Sequence, residues 1–175
     1  MTMKALILPV SAAFGLSFSA FAAEVTAEIS HVHLCCKGCV SGAEKAVGEV
    51  AGAKASVNQD EGKVTLSGSD LATVQKAADA LVAAGYFGKS ANNQVKIKNA
   101  TGAKGQKVQS LQVEGVHLCC GKCVKAVDQA LKAVPGVKNQ TATKGAKSFE
   151  VTGEFNDKEV FSALEKEGLA GKVAK

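Results

Sequence analysis

The chain has 175 residues and a formal net charge of +5, and every basic residue is a lysine. Aromatic residues make up only 5% of the chain, so it lacks both the guanidinium groups and the stacking platforms that usually read nucleic-acid bases. We therefore expect no nucleic-acid-binding role, and we interpret the mild positive charge as a contribution to solubility.

Residues 1–22 have the pattern of a secretory signal peptide. Lys4 supplies a positive charge, residues 5–18 are apolar, and Ala20 and Ala22 fit the small-x-small cleavage pattern. We expect cleavage after Ala22 and a periplasmic or secreted location; an uncleaved anchor is the alternative. Because no later stretch is apolar enough to cross a membrane, we expect a soluble product with no membrane span.

Two short segments carry all six cysteines of the chain. Residues 33–39 read His-Leu-Cys-Cys-Lys-Gly-Cys, and residues 117–123 read His-Leu-Cys-Cys-Gly-Lys-Cys. Export favours disulfides, but structural disulfides usually link distant segments, whereas these cysteines are crowded together. Thiols and imidazoles at this density indicate soft-metal ligation or thiol redox chemistry.

The two halves of the chain share one order of predicted elements. Alternating apolar residues predict a strand before each cysteine segment, at Val25, Ala27 and Ile29 and then at Leu111 and Val113. After each segment, the spacing i, i+3, i+7, i+10 predicts a helix with one buried face, formed by Val40, Ala43, Val47 and Val50 and then by Val124, Val127, Leu131 and Val134. A turn, a hairpin, a second helix and a short last strand complete each half.

Capping residues place the second helix of each half. Asp70 and Asn156 are predicted N-caps, and Glu159 is positioned to form a capping box with Asn156. Gly85 and Gly168 stand where a left-handed C-cap glycine belongs.

The order strand, helix, strand, strand, helix, strand occurs twice. It predicts an α+β fold of two tandem ferredoxin-like βαββαβ domains, each a four-stranded antiparallel sheet with two helices on one face. Val95 and Ile97 alternate after the first domain's last strand and are candidates to extend it. The expected regions are a signal peptide at 1–22, a first metal-binding domain at 23–98, a flexible linker at 99–106 and a second metal-binding domain at 107–175.

Several motifs in these halves match one known family. They are the Cys-x-x-Cys pairs at 36–39 and 120–123 with Glu44 after the first, the Pro-Gly-Val turn at 135–137, and Gly-Tyr at 85–86. Each half resembles the heavy-metal-associated (HMA) domain of copper chaperones, of soft-metal-transporting P-type ATPases and of the periplasmic mercury-binding protein.

The resemblance implies that Cys36, Cys39, Cys120 and Cys123 ligate a soft ion, often copper(I), at about one ion per domain. It also implies a metal-transporting ATPase or another metal-carrying protein as partner. The segments depart from the family pattern, since the usual Met is missing and an additional His and Cys precede each pair. Tyr86 matches a tyrosine found near the metal in bacterial copper chaperones, whereas the second domain has leucine at the equivalent position.

The additional residues enlarge the candidate ligand set to a Cys₃His or Cys₂His site. Four such ligands favour tetrahedral zinc(II), cadmium or cobalt, whereas three thiolates alone favour copper(I). The absence of methionine after cleavage lowers the expectation of copper relative to zinc. Unliganded loop histidines and spectator thiols are the alternatives. We interpret Leu34 and Leu118 as core residues beneath the loops and His31 as a surface residue. The candidate ligands are Cys36, Cys39, Cys120, Cys123, Cys35, Cys119, His33 and His117.

These observations predict an exported, soluble heavy-metal-binding protein that is not an enzyme and acts as a scavenger, buffer or metallochaperone. Metal transfer would proceed by thiolate exchange through open, exposed loops. The alternative is a thiol–disulfide oxidoreductase that uses the Cys-x-x-Cys pairs. A structural adaptor in which the cysteine segments only stabilise two small domains is a third possibility.

Overall fold

The computed structural model describes residues 24–174, so the expected signal peptide lies outside the described residues. Within 24–174 the chain forms two four-stranded antiparallel sheets, ordered β2-β3-β1-β4 and β6-β7-β5-β8, which is the ferredoxin-like arrangement twice. The elements are β1 (Val25–Ser30), α1 (Lys37–Gly48), β2 (Ala53–Asn58), β3 (Lys63–Gly68), α2 (Leu71–Ala83), β4 (Lys89–Ser90), β5 (Lys107–Glu114), α3 (Gly121–Lys132), β6 (Val137–Gln140), β7 (Ser148–Asn156), α4 (Asp157–Lys166) and β8 (Lys172–Val173). No helix of this described part has both the length and the apolar character needed to cross a bilayer.

The predicted strand alternation fixes which side of each sheet is buried. In β1, Ala27 and Ile29 are buried, whereas Thr26 and Glu28 between them are exposed. Ile29 is paired with Val64 of β3, which is also fully buried. Because successive side chains of a strand point to opposite faces, this register directs the apolar set into the core under the helices.

The buried helix faces differ from the predicted stripes at both ends. Val50 and Val134 lie beyond the last residues of α1 and α3, and Val50 is only half-buried. Ala43 and Val47 of α1 are buried as predicted, but Val40 is only half-buried and Cys39 is fully buried instead. The same change occurs in α3, where Cys123 is buried and Val124 is half-buried. The second cysteine of each Cys-x-x-Cys pair therefore belongs to the core face of its helix.

The helix caps follow the prediction with one difference. The carboxylate of Asp70 accepts the Thr73 N–H at 2.7 Å and caps α2. Asn156 caps α4, but its side chain accepts from the Lys158 N–H rather than from that of Glu159, so the expected capping box is not formed.

Segment 99–106, the predicted flexible linker, lies along the second domain and is hydrogen-bonded to it. The side chain of Asn99 donates to Glu165 at 2.9 Å, and the Val173 N–H donates to the Thr101 carbonyl at 2.8 Å. The carboxylate of Asp157 accepts the N–H groups of residues 104–106 at 2.7–2.9 Å. Burial raises the pKa of Asp157, but these N–H groups outweigh it, and the pKa is lowered overall.

The expected extension of the last strand at Val95 and Ile97 was wrong. The strand ends at Ser90, and Val95 is buried in an irregular segment. The side-chain amide of Gln75 makes both backbone hydrogen bonds of Lys96, at 2.8 Å each. A side chain thus supplies the partners that a neighbouring strand would have supplied.

Candidate metal centre

Each Cys-x-x-Cys pair is positioned by the start of a helix. Cys36 is the N-cap residue of α1, and Cys120 is the N-cap residue of α3. Cys39 and Cys123 follow in the first turn of each helix, where their side chains face the core. Residues three apart at a helix start lie on one side of it, so each pair of sulfur atoms converges.

Backbone contacts between the domains bring the two pairs together. The Gly168 carbonyl accepts the N–H groups of His33 at 3.2 Å and Phe87 at 3.0 Å, and the Gly85 carbonyl accepts the Ala170 N–H at 2.9 Å. Gly85 and Gly168 have φ values of 93° and 74° and follow the ends of α2 and α4, as predicted for C-cap glycines. A Cβ on either glycine would lie 2.5 Å or less from the backbone of the other domain, so these glycines also permit the docking.

Sulfur–sulfur separations across the domain boundary are as short as those within a domain. Cys35 Sγ lies 3.4 Å from Cys120 Sγ, and Cys39 Sγ lies 3.4 Å from Cys119 Sγ. Within the two Cys-x-x-Cys pairs the Sγ atoms are 3.8 and 3.9 Å apart. We use the name thiol cluster for the six free cysteines Cys35, Cys36, Cys39, Cys119, Cys120 and Cys123.

The thiol cluster is only partly accessible to solvent. Cys39 and Cys123 are fully buried, whereas the other four cysteines are half-buried. Leu34 and Leu118 are buried beneath the loops, as predicted. The loops are therefore less open than we expected, and an ion would enter past the half-buried thiols.

The two histidines of the cysteine segments occupy different environments. A ring nitrogen of His33 lies within 4.8 Å of the Sγ atoms of Cys35 and Cys123. His33 Nε2 is buried and has no hydrogen-bond partner among residues 24–174, although the ring is close enough to help lower the pKa of Cys123. A buried nitrogen with no partner is costly unless a ligand completes it, so His33 has the environment of a candidate ligand.

His117 is held by Tyr86 instead. The Tyr86 hydroxyl donates to the Cys39 carbonyl at 2.8 Å, and the same oxygen lies 3.1 Å from His117 Nε2. The hydroxyl hydrogen is used at Cys39, so we infer that His117 Nε2 carries a hydrogen and donates it to Tyr86. The rings are stacked at 4.6 Å, and burial lowers the pKa of His117, which favours the neutral imidazole. The second domain has Leu169 where the first has Tyr86, so Leu169 offers no equivalent hydroxyl.

The helix starts and the crowding of sulfur atoms shift the pKa values of the thiols in opposite directions. The Cys39 N–H lowers the pKa of Cys36 to about 7, so this thiol is substantially ionised at neutral pH. Burial raises the pKa of Cys119 to about 12 and also raises that of Cys35. The hydrogen bond between the Cys39 and Cys123 thiols raises the pKa of Cys39 and lowers that of Cys123. In the metal-free cluster, negative charge is therefore favoured at Cys36 and Cys123, whereas Cys35, Cys39 and Cys119 keep their protons.

All six predicted cysteine ligands are thus brought to one place rather than to two. His33 lies beside them, whereas His117 contacts Tyr86, whose hydroxyl is bonded to the Cys39 carbonyl. Whether each of these residues ligates an ion remains a prediction. His31, expected at the surface, is exposed. No local sequence pattern indicates that the Tyr86 hydroxyl donates to the carbonyl of Cys39 in the first Cys-x-x-Cys helix.

No protein-family model matches the chain, and no curated protein matches it. Among solved structures, the copper-binding domain from HMA7, a P-type ATPase, is 18% identical over 39% of this chain and 96% of its own, with a TM-score of 0.36. The N-terminal domain of PacS from Synechocystis PCC6803 is 20% identical over 39% of this chain and all of its own, with a TM-score of 0.36. The N-terminal soluble domains of Bacillus subtilis CopA are 16% identical over 87% of this chain and 95% of their own, with a TM-score of 0.31. Similarities this low carry no argument about function, and the fold assignment stands on the strand order.

Proposed function

We propose that this protein binds soft metal ions through its thiol cluster. The observation that carries the proposal is the convergence of six free thiols from two domains, beside the His33 nitrogen, which has no hydrogen-bond partner in the described part of the chain. Thiolates about 2.3 Å from a shared ion lie roughly 3.8–4.0 Å apart. The separations of 3.4–3.9 Å between neighbouring sulfur atoms need only a small expansion to reach that spacing. Thiolate ligands select copper(I) and zinc(II) among the common metals.

The biological role that fits this chemistry is that of an exported scavenger, buffer or metallochaperone with no catalytic activity of its own. Export is proposed from the signal-peptide pattern of residues 1–22. The partner would be a metal-transporting ATPase or another metal-carrying protein, as the HMA-like motifs suggest. Transfer would proceed by thiolate exchange at the half-buried cysteines, since Cys39 and Cys123 are inaccessible.

One observation favours the rival role of thiol–disulfide oxidoreductase. The lowered pKa of Cys36, which follows Cys35 and opens α1, is a property of attacking thiols in such enzymes. The helix start produces that lowering in either class of protein, however, and the Cys35 and Cys119 thiols have no part in a two-cysteine exchange. The metal-binding role uses all six thiols of the cluster.

The experiment is metal loading of the reduced full chain without oxygen, with copper(I) and zinc(II) supplied separately. Metal retained after gel filtration is counted, and X-ray absorption identifies sulfur neighbours. We expect sulfur-bound metal in the natural chain and none in a variant with all six cysteines changed to serine. The proposal is wrong if no sulfur-bound ion is retained under either loading condition, and turnover in an insulin-reduction assay would favour the rival role.

A further inference from the structure

The six sulfur atoms of the thiol cluster have the connectivity of an octahedron. Nine Sγ–Sγ pairs lie 3.4–3.9 Å apart. Three further pairs lie within 4.8 Å, namely Cys35 with Cys36, Cys36 with Cys120, and Cys119 with Cys120. Together these pairs are the edges of an octahedron. Its opposite corners are Cys35 and Cys119, Cys36 and Cys123, and Cys39 and Cys120.

An octahedron of sulfur atoms does not fit a single tetrahedral ion. Any four corners of an octahedron include at least one opposite pair, and opposite corners of one with edges near 3.6 Å lie about 5.1 Å apart. Four thiolates around one tetrahedral ion need separations of about 3.8 Å throughout. A mononuclear four-sulfur zinc site would therefore require the thiol cluster to rearrange.

The triangular faces of this octahedron do fit trigonal ions. Three thiolates about 2.3 Å from a trigonal ion lie about 4.0 Å apart, and copper(I) is the soft ion that three thiolates suit. Four of the eight faces can be chosen so that no two share an edge, and every sulfur atom then belongs to two of them. With one ion on each of these four faces, each sulfur would bridge two ions. These faces are Cys35–Cys36–Cys120, Cys36–Cys39–Cys119, Cys119–Cys120–Cys123 and Cys35–Cys39–Cys123.

We propose that the thiol cluster holds four copper(I) ions in one six-thiolate cluster shared by the two domains; this inference rests on the proposed function. Four Cu⁺ ions replace six thiol protons, which leave to solvent, and the product carries a charge of −2 with no change of oxidation state. The N-termini of α1 and α3 both face the thiol cluster and stabilise negative charge. The Lys122 ammonium group, 3.5 Å from the Cys35 carbonyl, adds a positive charge beside it.

The shared cluster requires that the domains remain docked. Three of the four faces combine sulfur atoms from both cysteine segments, and only the face Cys119–Cys120–Cys123 belongs to one domain. A separate domain offers three sulfur atoms and cannot complete the six-thiolate arrangement. Copper binding should therefore be cooperative and should fix the arrangement of the two domains.

The test is a titration of the reduced full chain with copper(I) supplied as its acetonitrile complex, without oxygen. We expect native mass spectrometry to show one dominant product, the monomer plus four copper ions minus six protons. X-ray absorption should show three sulfur neighbours for each copper and a short copper–copper vector. Saturation at one or two copper ions per chain, with two sulfur neighbours and no copper–copper vector, would overturn the shared cluster but leave the proposed function intact. Absence of any sulfur-bound copper or zinc would overturn both the shared cluster and the proposed function.

Single substitutions separate a shared cluster from independent sites. Cys36→Ser and Cys120→Ser change half-buried residues, one in each domain, and Ser41→Ala on exposed α1 surface is the control. We expect each cysteine variant to fall from four copper ions to two or fewer, and the control to keep four. Loss of only one ion in each cysteine variant, with the other domain unaffected, would overturn the inference. A four-copper product found only on chain dimers would overturn it as well.

Discussion

Gly168→Ala tests whether the docking of the two domains creates the thiol cluster. Gly168 has a φ of 74°, and a Cβ on it would lie 2.4 Å from the His31 carbonyl oxygen and 2.5 Å from the His33 nitrogen. Both atoms belong to the backbone of the first domain, so neither can turn away as a side chain would. Gly115→Ala is the matched control, because Gly115 has a φ of 78° and no atom within 4 Å of its added Cβ.

The expected destabilisation can be divided into a shared and a specific part. A left-handed alanine costs about 1–2 kcal/mol in either variant. In Gly168→Ala the domains must also separate by roughly 1 Å for the contact to reach an ordinary distance. That movement weakens the hydrogen bonds that the Gly168 carbonyl accepts from the N–H groups of His33 and Phe87, each worth a net ~0.5–1.5 kcal/mol. We therefore expect Gly168→Ala to lose about 1–3 kcal/mol more unfolding free energy than Gly115→Ala.

The assay is urea unfolding of both reduced, metal-free variants, followed by copper(I) titration of each. Separation of the domains lengthens the cross-boundary Sγ distances, so Gly168→Ala should lose the four-copper product while Gly115→Ala keeps it. Equal unfolding free energies and equal copper stoichiometry in the two variants would refute the reasoning, since they would show that this backbone contact does not hold the thiol cluster together.

Two further predictions concern buried polar groups. Tyr86→Phe removes the donor to the Cys39 carbonyl and the acceptor of the His117 N–H and should destabilise the reduced, metal-free protein by about 1–3 kcal/mol in urea unfolding; an unchanged midpoint would show that neither hydrogen bond stabilises the fold. Asp157→Asn places an amide group against the N–H groups of residues 104–106 and should cost a similar amount at neutral pH. Because the pKa of Asp157 is lowered on folding, its stabilisation is present above the unfolded carboxyl pKa and is lost as pH falls through the folded pKa. The natural chain should therefore lose more stability than the variant between neutral and acidic pH, and parallel pH profiles would contradict this assignment.

The elements of the fold could be predicted from the sequence because their signals are local. Alternation at Ala27 and Ile29 and the helical spacing of Ala43 and Val47 each depend on a single segment and its burial. The expected strand at Val95 was wrong for a physical reason. An alternating pattern reports burial, whereas a strand also needs backbone partners, and the side chain of Gln75 took that role.

The candidate ligands could be identified from the sequence, but their arrangement could not. Thiol and imidazole chemistry depends on residue type, so Cys36 and Cys120 can be identified as candidate ligands without knowing where they lie in the fold. The different environments of His33 and His117 follow from one substitution, since Tyr86 offers a hydroxyl and Leu169 does not. That consequence becomes visible only when Tyr86 is known to contact the other domain.

The sequence by itself determined two similar α+β domains, each with three cysteines and a histidine at the start of its first helix. Only the tertiary structure decided that both sets meet in one cluster. Part of the contact that joins them is made by backbone atoms at Gly85 and Gly168, and backbone contacts leave no side-chain pattern in the sequence. The sequence predicts both glycines as C-cap residues. Because that role fully explains a glycine at each position, no further sequence pattern indicates their second role in docking the domains.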